Sequence, residues 1–335
     1  MTKAKFYKKL NNNQVQCQLC NHACIINDGQ IGICKVRKNR EGNLESLVYG
    51  QPAALNVDPI EKKPLFHFLP NSLTFSLGTL GCNFACANCQ NWDISQKAPI
   101  GPIKNPVPPE EIVKQAIEHN CASISYTYNE PTIWAEYALD IMKLAHEHKL
   151  KNVWVSNGYM SKECLKAILP YLDAINVDLK SFNPKFYLTN CQAKLEPILE
   201  NLKTIKKAKA HLEITTLIIP TLSDNLNMLK KLAEFITHEL GTNTPWHLSA
   251  FSPEISWKLK NLEPTNKNII YQAYNIGKNA NLKYVYVGNL PGDSKENTYC
   301  PNCHELVIRR AGYNIERFDK NEKCQKCGQD LNIVK

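Results

Sequence analysis

The chain of 335 residues has no run of about 18 consecutive apolar residues, so no helical membrane span is expected. Its opening, MTKAKFYKKLNNNQ, is basic but is followed by no apolar core, so no secretory signal is expected either. Low-complexity segments and sequence repeats are missing. No alternation of aromatic and basic residues marks a base-stacking track for single-stranded nucleic acid. The hydrophobic share of 43% and the charged share of 21% are those of an ordinary globular chain, and the length exceeds that of one small compact domain. The excess is in cysteine, with fourteen. Without a secretory signal these belong in a reducing compartment, where clustered cysteines read as metal ligands and not as disulfides. The expectation is a cytoplasmic metalloprotein.

The cysteines form three groups: Cys17, Cys20, Cys24 and Cys34; then Cys82, Cys86 and Cys89; then Cys300, Cys303, Cys324 and Cys327. Cys121, Cys164 and Cys191 stand alone and read as small buried hydrophobes or ordinary thiols. A metal can replace a core too small to stand alone, so both ends read as small metal-bound modules. The expected organisation is a cysteine-rich segment over 1–70, a central domain over 71–295 and a third module over 296–335. A formal net charge of +9 suggests an anionic partner until the metals are counted. Thiolate ligation of one four-iron cluster and two zinc ions lowers it to about +4, and a nucleic-acid partner then loses most of its support. The run Lys203, Lys206, Lys207 and Lys209 lies at helical spacing opposite Ile198, Leu202 and Ile205. It reads as a solvated face.

Between the ends, strand and helix patterns alternate. SLTFSLGT (72–79), ASISYTY (122–128), NVWVS, AINVDL, LEITTLIIP, WHLSAF and YVYVG read as strands. PPEEIVKQAIEHN (108–120) reads as a helix, with proline before its first turn, glutamates at its positive end, and Ile112, Val113, Ala116 and Ile117 on one face. A second helix places Trp134, Ala138, Ile141 and Ala145 in register. Further apolar faces are Cys164, Leu165, Ile168, Leu169 and Leu172, and Leu229, Leu232, Ala233 and Ile236. Repeated β-α units mean parallel strands joined by right-handed crossovers. Six or seven units point to an α/β fold with a partial (β/α)6-type barrel, and a doubly wound sheet is the alternative.

Cys82-Asn-Phe-Ala-Cys86-Ala-Asn-Cys89 directly follows the first of these strands. Three thiolates do not complete a tetrahedral zinc site, which takes four ligands. They suit three corners of a cubane cluster, with the fourth iron open to another ligand. A zinc site completed from elsewhere, or cysteines packed in a core, is the bland alternative. The Cys-x3-Cys-x2-Cys loop after the first strand of a β/α barrel resembles the signature of the radical S-adenosylmethionine (SAM) superfamily.

That resemblance extends along the chain. Thr127-Tyr-Asn-Glu130-Pro looks like the superfamily's Gly-Gly-Glu-Pro segment, with Tyr128 and Asn129 in place of the glycines. It implies that Glu130 holds the amino group of the cosubstrate. Ser156-Asn157-Gly158 and Asp178-Leu-Lys180 resemble segments of pyruvate formate-lyase activating enzymes, with Val155 where those enzymes have an acidic residue. Asp178 and Lys180, two apart on a strand, could also simply pair. Thr215, Thr216, Pro220 and His247 correspond to positions that shape the ribose and adenine pocket, although His247 alone could be an ordinary core histidine. The segment Asp58-Pro-Ile-Glu-Lys-Lys-Pro-Leu-Phe-His67-Phe, the N-terminal cysteine spacing, and Trp-His-Leu-Ser-Ala-Phe-Ser-Pro are similar to the radical enzyme of the AmmeMemoRadiSam system. That similarity implies Memo-like and AMMECR-like partners and leaves the substrate unnamed. Glycyl-radical activases often carry extra cysteines after the cluster loop, and residues 90–120 have none, so activase is the second reading.

Cys300-Pro-Asn-Cys303 and Cys324-Gln-Lys-Cys327, joined through the hairpin-like LVIRRAGYNIERF, read as a zinc ribbon. The N-terminal four read as a zinc site, with three thiolates plus His22, or an iron–sulfur cluster, as alternatives. The expected enzyme carries a [4Fe–4S] cluster on Cys82, Cys86 and Cys89. It cleaves S-adenosylmethionine reductively to a 5′-deoxyadenosyl radical, with Glu130, Ser156, Asn157, Asp178, Lys180 and His247 around the cosubstrate. It takes electrons from an external donor such as flavodoxin or ferredoxin. An activase of a glycyl-radical enzyme and an RNA-modifying radical enzyme are the rivals; neither a membrane nor nucleic acid is expected as a partner.

Overall fold

The computed structural model describes residues 2–99 and 105–335. Eight strands form its central sheet: β1 (Ala54–Pro59), β2 (Leu73–Gly78), β3 (Ser123–Tyr126), β4 (Lys151–Ser156), β5 (Ala174–Asp178), β6 (His211–Ile218), β7 (Trp246–Ala250) and β8 (Val285–Gly288). They lie across the sheet in chain order. From β2 to β8 every neighbouring pair is parallel, whereas β1 runs antiparallel to β2. Parallel neighbours cannot be joined by a tight turn, so each connection carries a helix. In order these are α1 (Pro109–Glu118), α2 (Ala135–Glu147), α3 (Lys162–Ile168), α4 (Glu196–Lys207), α5 (Leu226–Phe235) and α6 (Lys267–Asn279). The chain thus has six successive strand–helix units, plus β8 and the antiparallel β1 at the edges. None of the helices is long and apolar enough to cross a membrane, among the described residues.

Local chemistry accounts for the helices. Ser161 caps α3 by accepting from the Cys164 amide at 3.0 Å, and Asn225 caps α5 through the Met228 amide at 3.0 Å, each satisfying an otherwise unpaired N–H. The apolar faces of α2, α3 and α5 are buried as the spacing predicts, and on α4 Ile198, Leu202 and Ile205 are buried behind the lysines. On α1 the buried stripe is narrower than expected. Ile112, Val113 and Ala116 are buried, but Ile117 is 45% exposed.

The cysteine-rich N-terminal segment forms two small three-stranded sheets. It is pinned to the core by Arg37, whose guanidinium donates to both Glu136 carboxylate oxygens at 2.7 and 2.8 Å. Both side chains are only 1% exposed. Burial disfavours each charge, but each offsets that for the other, so the Glu136 carboxyl stays below its usual range.

Residues 60–69 cross beneath the sheet as a strap. The backbone N–H groups of Phe66 and His67 donate to the Glu213 carboxylate, as do His211 and His247. Burial alone would raise the Glu213 carboxyl; these bonds hold it well below the usual range. Because Glu213 and His247 lie near the starts of β6 and β7, the strap closes the amino-terminal end. The C-terminal module grips it from outside. Val334 pairs with Phe68, the His67 ring bonds the Leu331 carbonyl at 3.0 Å, and Arg310 stacks 4.0 Å from the Phe66 ring.

Candidate active site

All of the cluster-loop cysteines lie beyond the carboxyl end of β2, and the loop is clasped on both sides. Asn129, after β3, donates to Gly81 O at 2.8 Å and accepts from the Thr79 amide at 3.2 Å. Asn91 donates to the Tyr128 carbonyl at 2.6 Å. Asn157, after β4, donates to the Asn83 side chain at 2.8 Å. From the far side, Ala85 and Ala87 amides bond the carbonyls of Cys191 and Asn190. The Trp257 and Lys258 amides, beyond β7, bond those of Cys89 and Ala87. Gly81 makes this approach possible. Its φ is +87°, and a Cβ there would stand 2.5 Å from the Cys34 carbonyl oxygen.

Burial raises the Cys82 thiol, with the nearby Glu130 carboxylate and the other two loop cysteines adding to the rise. Burial likewise raises Cys89, whose sulfur lies 3.2 Å from Ser95 Oγ. As free thiols they are protonated, so loading iron onto them releases protons.

Glu130 is the best-defined acid of the site. It is buried, and Oε1 accepts from the Thr132 amide, the Thr132 hydroxyl and the Ser156 hydroxyl, while Oε2 accepts from the Asn157 amide at 2.7 Å. Burial raises its carboxyl and these bonds restrain the rise. Oε2 has acceptor capacity left for one more donor. Ser156 and Asn157 therefore act on Glu130 and orient it. Tyr128 adopts φ +68°, the left-handed conformation a glycine takes without cost, and its hydroxyl donates to Asp58 at 2.7 Å.

Asp178 and Lys180 pair with each other at 2.7 Å, and both charges act on Cys86. Thr215 keeps a buried hydroxyl without a partner, whereas the Thr216 hydroxyl is bound to Leu179 O. His247 is not brought to this group. It is the second residue of β7, bonded to Glu213 at 2.6 Å and stacked on Tyr286, and so belongs to the closure around the strap. Cys121, Cys164 and Cys191 are all buried as expected, but Cys191 also lies against the cluster loop. It ends the irregular helical turn Tyr187–Cys191, and its thiol interacts with that of Cys86. Sequence reasoning could have singled it out only by knowing that the segment following β5 packs against the cluster loop.

At the C-terminal end, Cys300 and Cys327 sulfurs lie 3.5 Å apart and those of Cys303 and Cys324 3.6 Å apart. Each sulfur pair bridges two turns, Cys300–Cys303 closed by His304 N to Cys300 O at 3.0 Å and Cys324–Cys327 closed by Gly328 N to Cys324 O at 2.8 Å, with left-handed backbone at both turns. The hairpin Leu306–Ala311 and Asn314–Arg317 separates them. This geometry is compatible with a zinc ribbon.

A sequence model of the Radical SAM superfamily matches residues 77–236. An uncharacterized protein of Methanocaldococcus jannaschii is 45% identical over the full length of both chains. A pyruvate formate-lyase-activating enzyme of Clostridium pasteurianum is 22% identical, covering 56% of this chain and 82% of its own. Among solved structures, a radical SAM methyltransferase of Sphaerobacter thermophilus shares the fold at a TM-score of 0.51 and 13% identity, covering 66% of this chain and 67% of that one.

Proposed function

Because this chain belongs to the radical SAM superfamily, we propose that it binds a [4Fe–4S] cluster on Cys82, Cys86 and Cys89 with S-adenosylmethionine beside it. The cluster, when bound, supplies the electron that splits the cosubstrate into methionine and a 5′-deoxyadenosyl radical able to take hydrogen from a substrate. The observation that carries this reading is the convergence of the three-cysteine loop with Glu130. It is supported by a carboxylate oriented by four donors and still able to accept a fifth. In this reading Glu130 holds the cosubstrate amino group, Ser156 and Asn157 hold Glu130, and the unpartnered Thr215 hydroxyl faces the nucleoside. The Asp178–Lys180 pair sets the charge next to Cys86.

The finer assignments rest on the same site. We place the chain in the AmmeMemoRadiSam system, with Memo-like and AMMECR-like proteins as partners, a flavodoxin- or ferredoxin-type electron donor, zinc in the C-terminal ribbon and a cytoplasmic location. The substrate class is open between a protein and a small molecule. The test is anaerobic reconstitution with iron and sulfide, followed by assay for 5′-deoxyadenosine with dithionite; absence of product from protein that carries the cluster would overturn it. Glu130→Gln should weaken S-adenosylmethionine binding roughly ten- to a hundredfold, the worth of one charge-assisted bond of about 1.5–3 kcal/mol. Cluster absorbance should be unchanged, which titration calorimetry beside a visible spectrum will check.

A further inference from the structure

We propose that Leu188 and Ile255, which flank the cluster loop, centre the docking surface for a small acidic flavoprotein that delivers the electron. This rests on the cluster reading above and adds the partner's place. Single exposed apolar side chains are ordinary on a protein surface, but these two are held out by buried neighbours. Leu188 is 58% exposed and Ile255 52%. Leu188 sits in the turn Tyr187–Cys191, whose Tyr187, Asn190 and Cys191 are buried. Ser256, beside Ile255, is buried, and its hydroxyl donates to the Ala87 carbonyl at 3.2 Å.

Both segments are seated on the same stretch of the cluster loop. The Ala87 amide donates to the Asn190 carbonyl at 3.0 Å, and the Ala87 carbonyl accepts from the Lys258 amide at 2.8 Å. The Asn190 side chain donates to that of Asn88 at 2.9 Å, and the Trp257 amide donates to Cys89 O at 3.1 Å. Hydrogen-bonded backbone therefore runs from both apolar residues to the stretch between Cys86 and Cys89. The other clasp of the loop, through Asn157, belongs to the Glu130 side, where the cosubstrate is placed and water has to be kept out. The donor is left with the side that Leu188 and Ile255 mark.

Charge and size select the partner. Lys185 and Lys194 are the charged residues within 181–195, and both are exposed. In the segment 251–266, Lys258 and Lys260 are the bases and Glu254 and Glu263 the acids, all exposed. Lys258 Nζ lies 3.8 Å from the centroid of the half-buried Trp257 ring. Four lysines against two glutamates favour an acidic partner. Two apolar side chains and part of an indole are too little for a stable interface of about 1,600 Å², and suit an electron-transfer encounter, which buries under about 1,200 Å². An apolar flavin edge ringed by carboxylates is the complement of an apolar centre ringed by lysines. In the transfer an anionic flavin hydroquinone loses one electron and no proton, the cluster gains that electron, and no bond forms between the proteins.

Anaerobically reconstituted full-length protein, driven by dithionite or by photoreduced flavodoxin and assayed for 5′-deoxyadenosine, tests the proposal. Leu188→Glu/Ile255→Glu should lower the flavodoxin-driven rate about tenfold or more, because contacts at the centre of an interface carry most of its binding. The dithionite-driven rate should be unchanged. Lys185→Glu/Lys194→Glu should slow the flavodoxin-driven rate and flatten its dependence on salt. Amide NMR shifts of flavodoxin, moved by cluster-free wild type and not by the Leu188/Ile255 variant, report docking without turnover. Equal flavodoxin-driven rates in wild type and both variants, unmoved flavodoxin signals, or a dependence on these residues with ferredoxin alone would overturn the proposal. If both drives fall together in folded variants, the surface serves the chemistry and not the donor, and the proposal is again wrong. No product from cluster-loaded wild type with dithionite, while flavodoxin signals still move, would sink the catalytic reading and leave the docking surface standing.

Discussion

Serine at both Cys82 and Cys89 should reduce 5′-deoxyadenosine formation to the level of a protein-free control. The alkoxide of serine is a poor substitute for a thiolate on iron, and a cluster that has lost two of three protein ligands is not retained. Cys86 is the less clean position. The Cys191 thiol interacts with it, so a Cys86→Ser protein keeps a thiol beside the vacated corner. Residual product from Cys86→Ser that disappears in Cys86→Ser/Cys191→Ala would show such a replacement. Full activity in the Cys82/Cys89 variant, measured by chromatography of the nucleoside, would show that the chemistry lies elsewhere.

Glu136→Ala should cost about 3–5 kcal/mol of folding stability, because it leaves the Arg37 guanidinium buried with no counter-charge. Urea unfolding monitored by tryptophan fluorescence will read this as a lower midpoint, and a loss under 1 kcal/mol would refute it. The double change Arg37→Met/Glu136→Leu should recover most of the loss, since an apolar pair of similar volume does not carry the desolvation cost. The pair also predicts acid sensitivity. The Glu136 carboxyl lies below its ordinary 4.5 in the folded protein, so its contribution is present above about pH 4.5. It is lost as pH falls through the lower, folded value.

The alternation of strands and helices was legible because each element carries its own period: SLTFSLGT becomes β2 and the α5 face is buried as spaced. β1 escaped because an edge strand with one partner needs little hydrophobic patterning; Asn56 and Val57 are exposed, and Pro59 reads as a break. Residue types and spacing named Cys82, Cys86, Cys89 and Glu130 because local sequence holds their chemistry. They could not show that Glu213 collects four donors or that Arg37 meets Glu136, 99 residues away. The expected place of His247 depended on which end of β7 it occupies, which alternation along a strand leaves open. Spacing along the chain bounds the distances among the N-terminal sulfurs without fixing them.

The bond between the His67 ring and Leu331 joins residues 264 positions apart, and this gives the protein a schedule. As the chain leaves a ribosome, the strap and all eight strands are exposed before the segment that clamps them exists. The amino-terminal side of the sheet therefore stays ajar through nearly the whole of synthesis. Glu213 can already gather the strap's backbone, but the Phe68–Val334 pairing and the Arg310 stack arrive last. Loop-closure entropy makes that late docking slow relative to the local strand–helix units. The small sheets that carry the first cysteines can form before it by most of a chain length, whereas the four C-terminal cysteines come together only as the clamp shuts, so the two ends mature at opposite moments of the protein's birth.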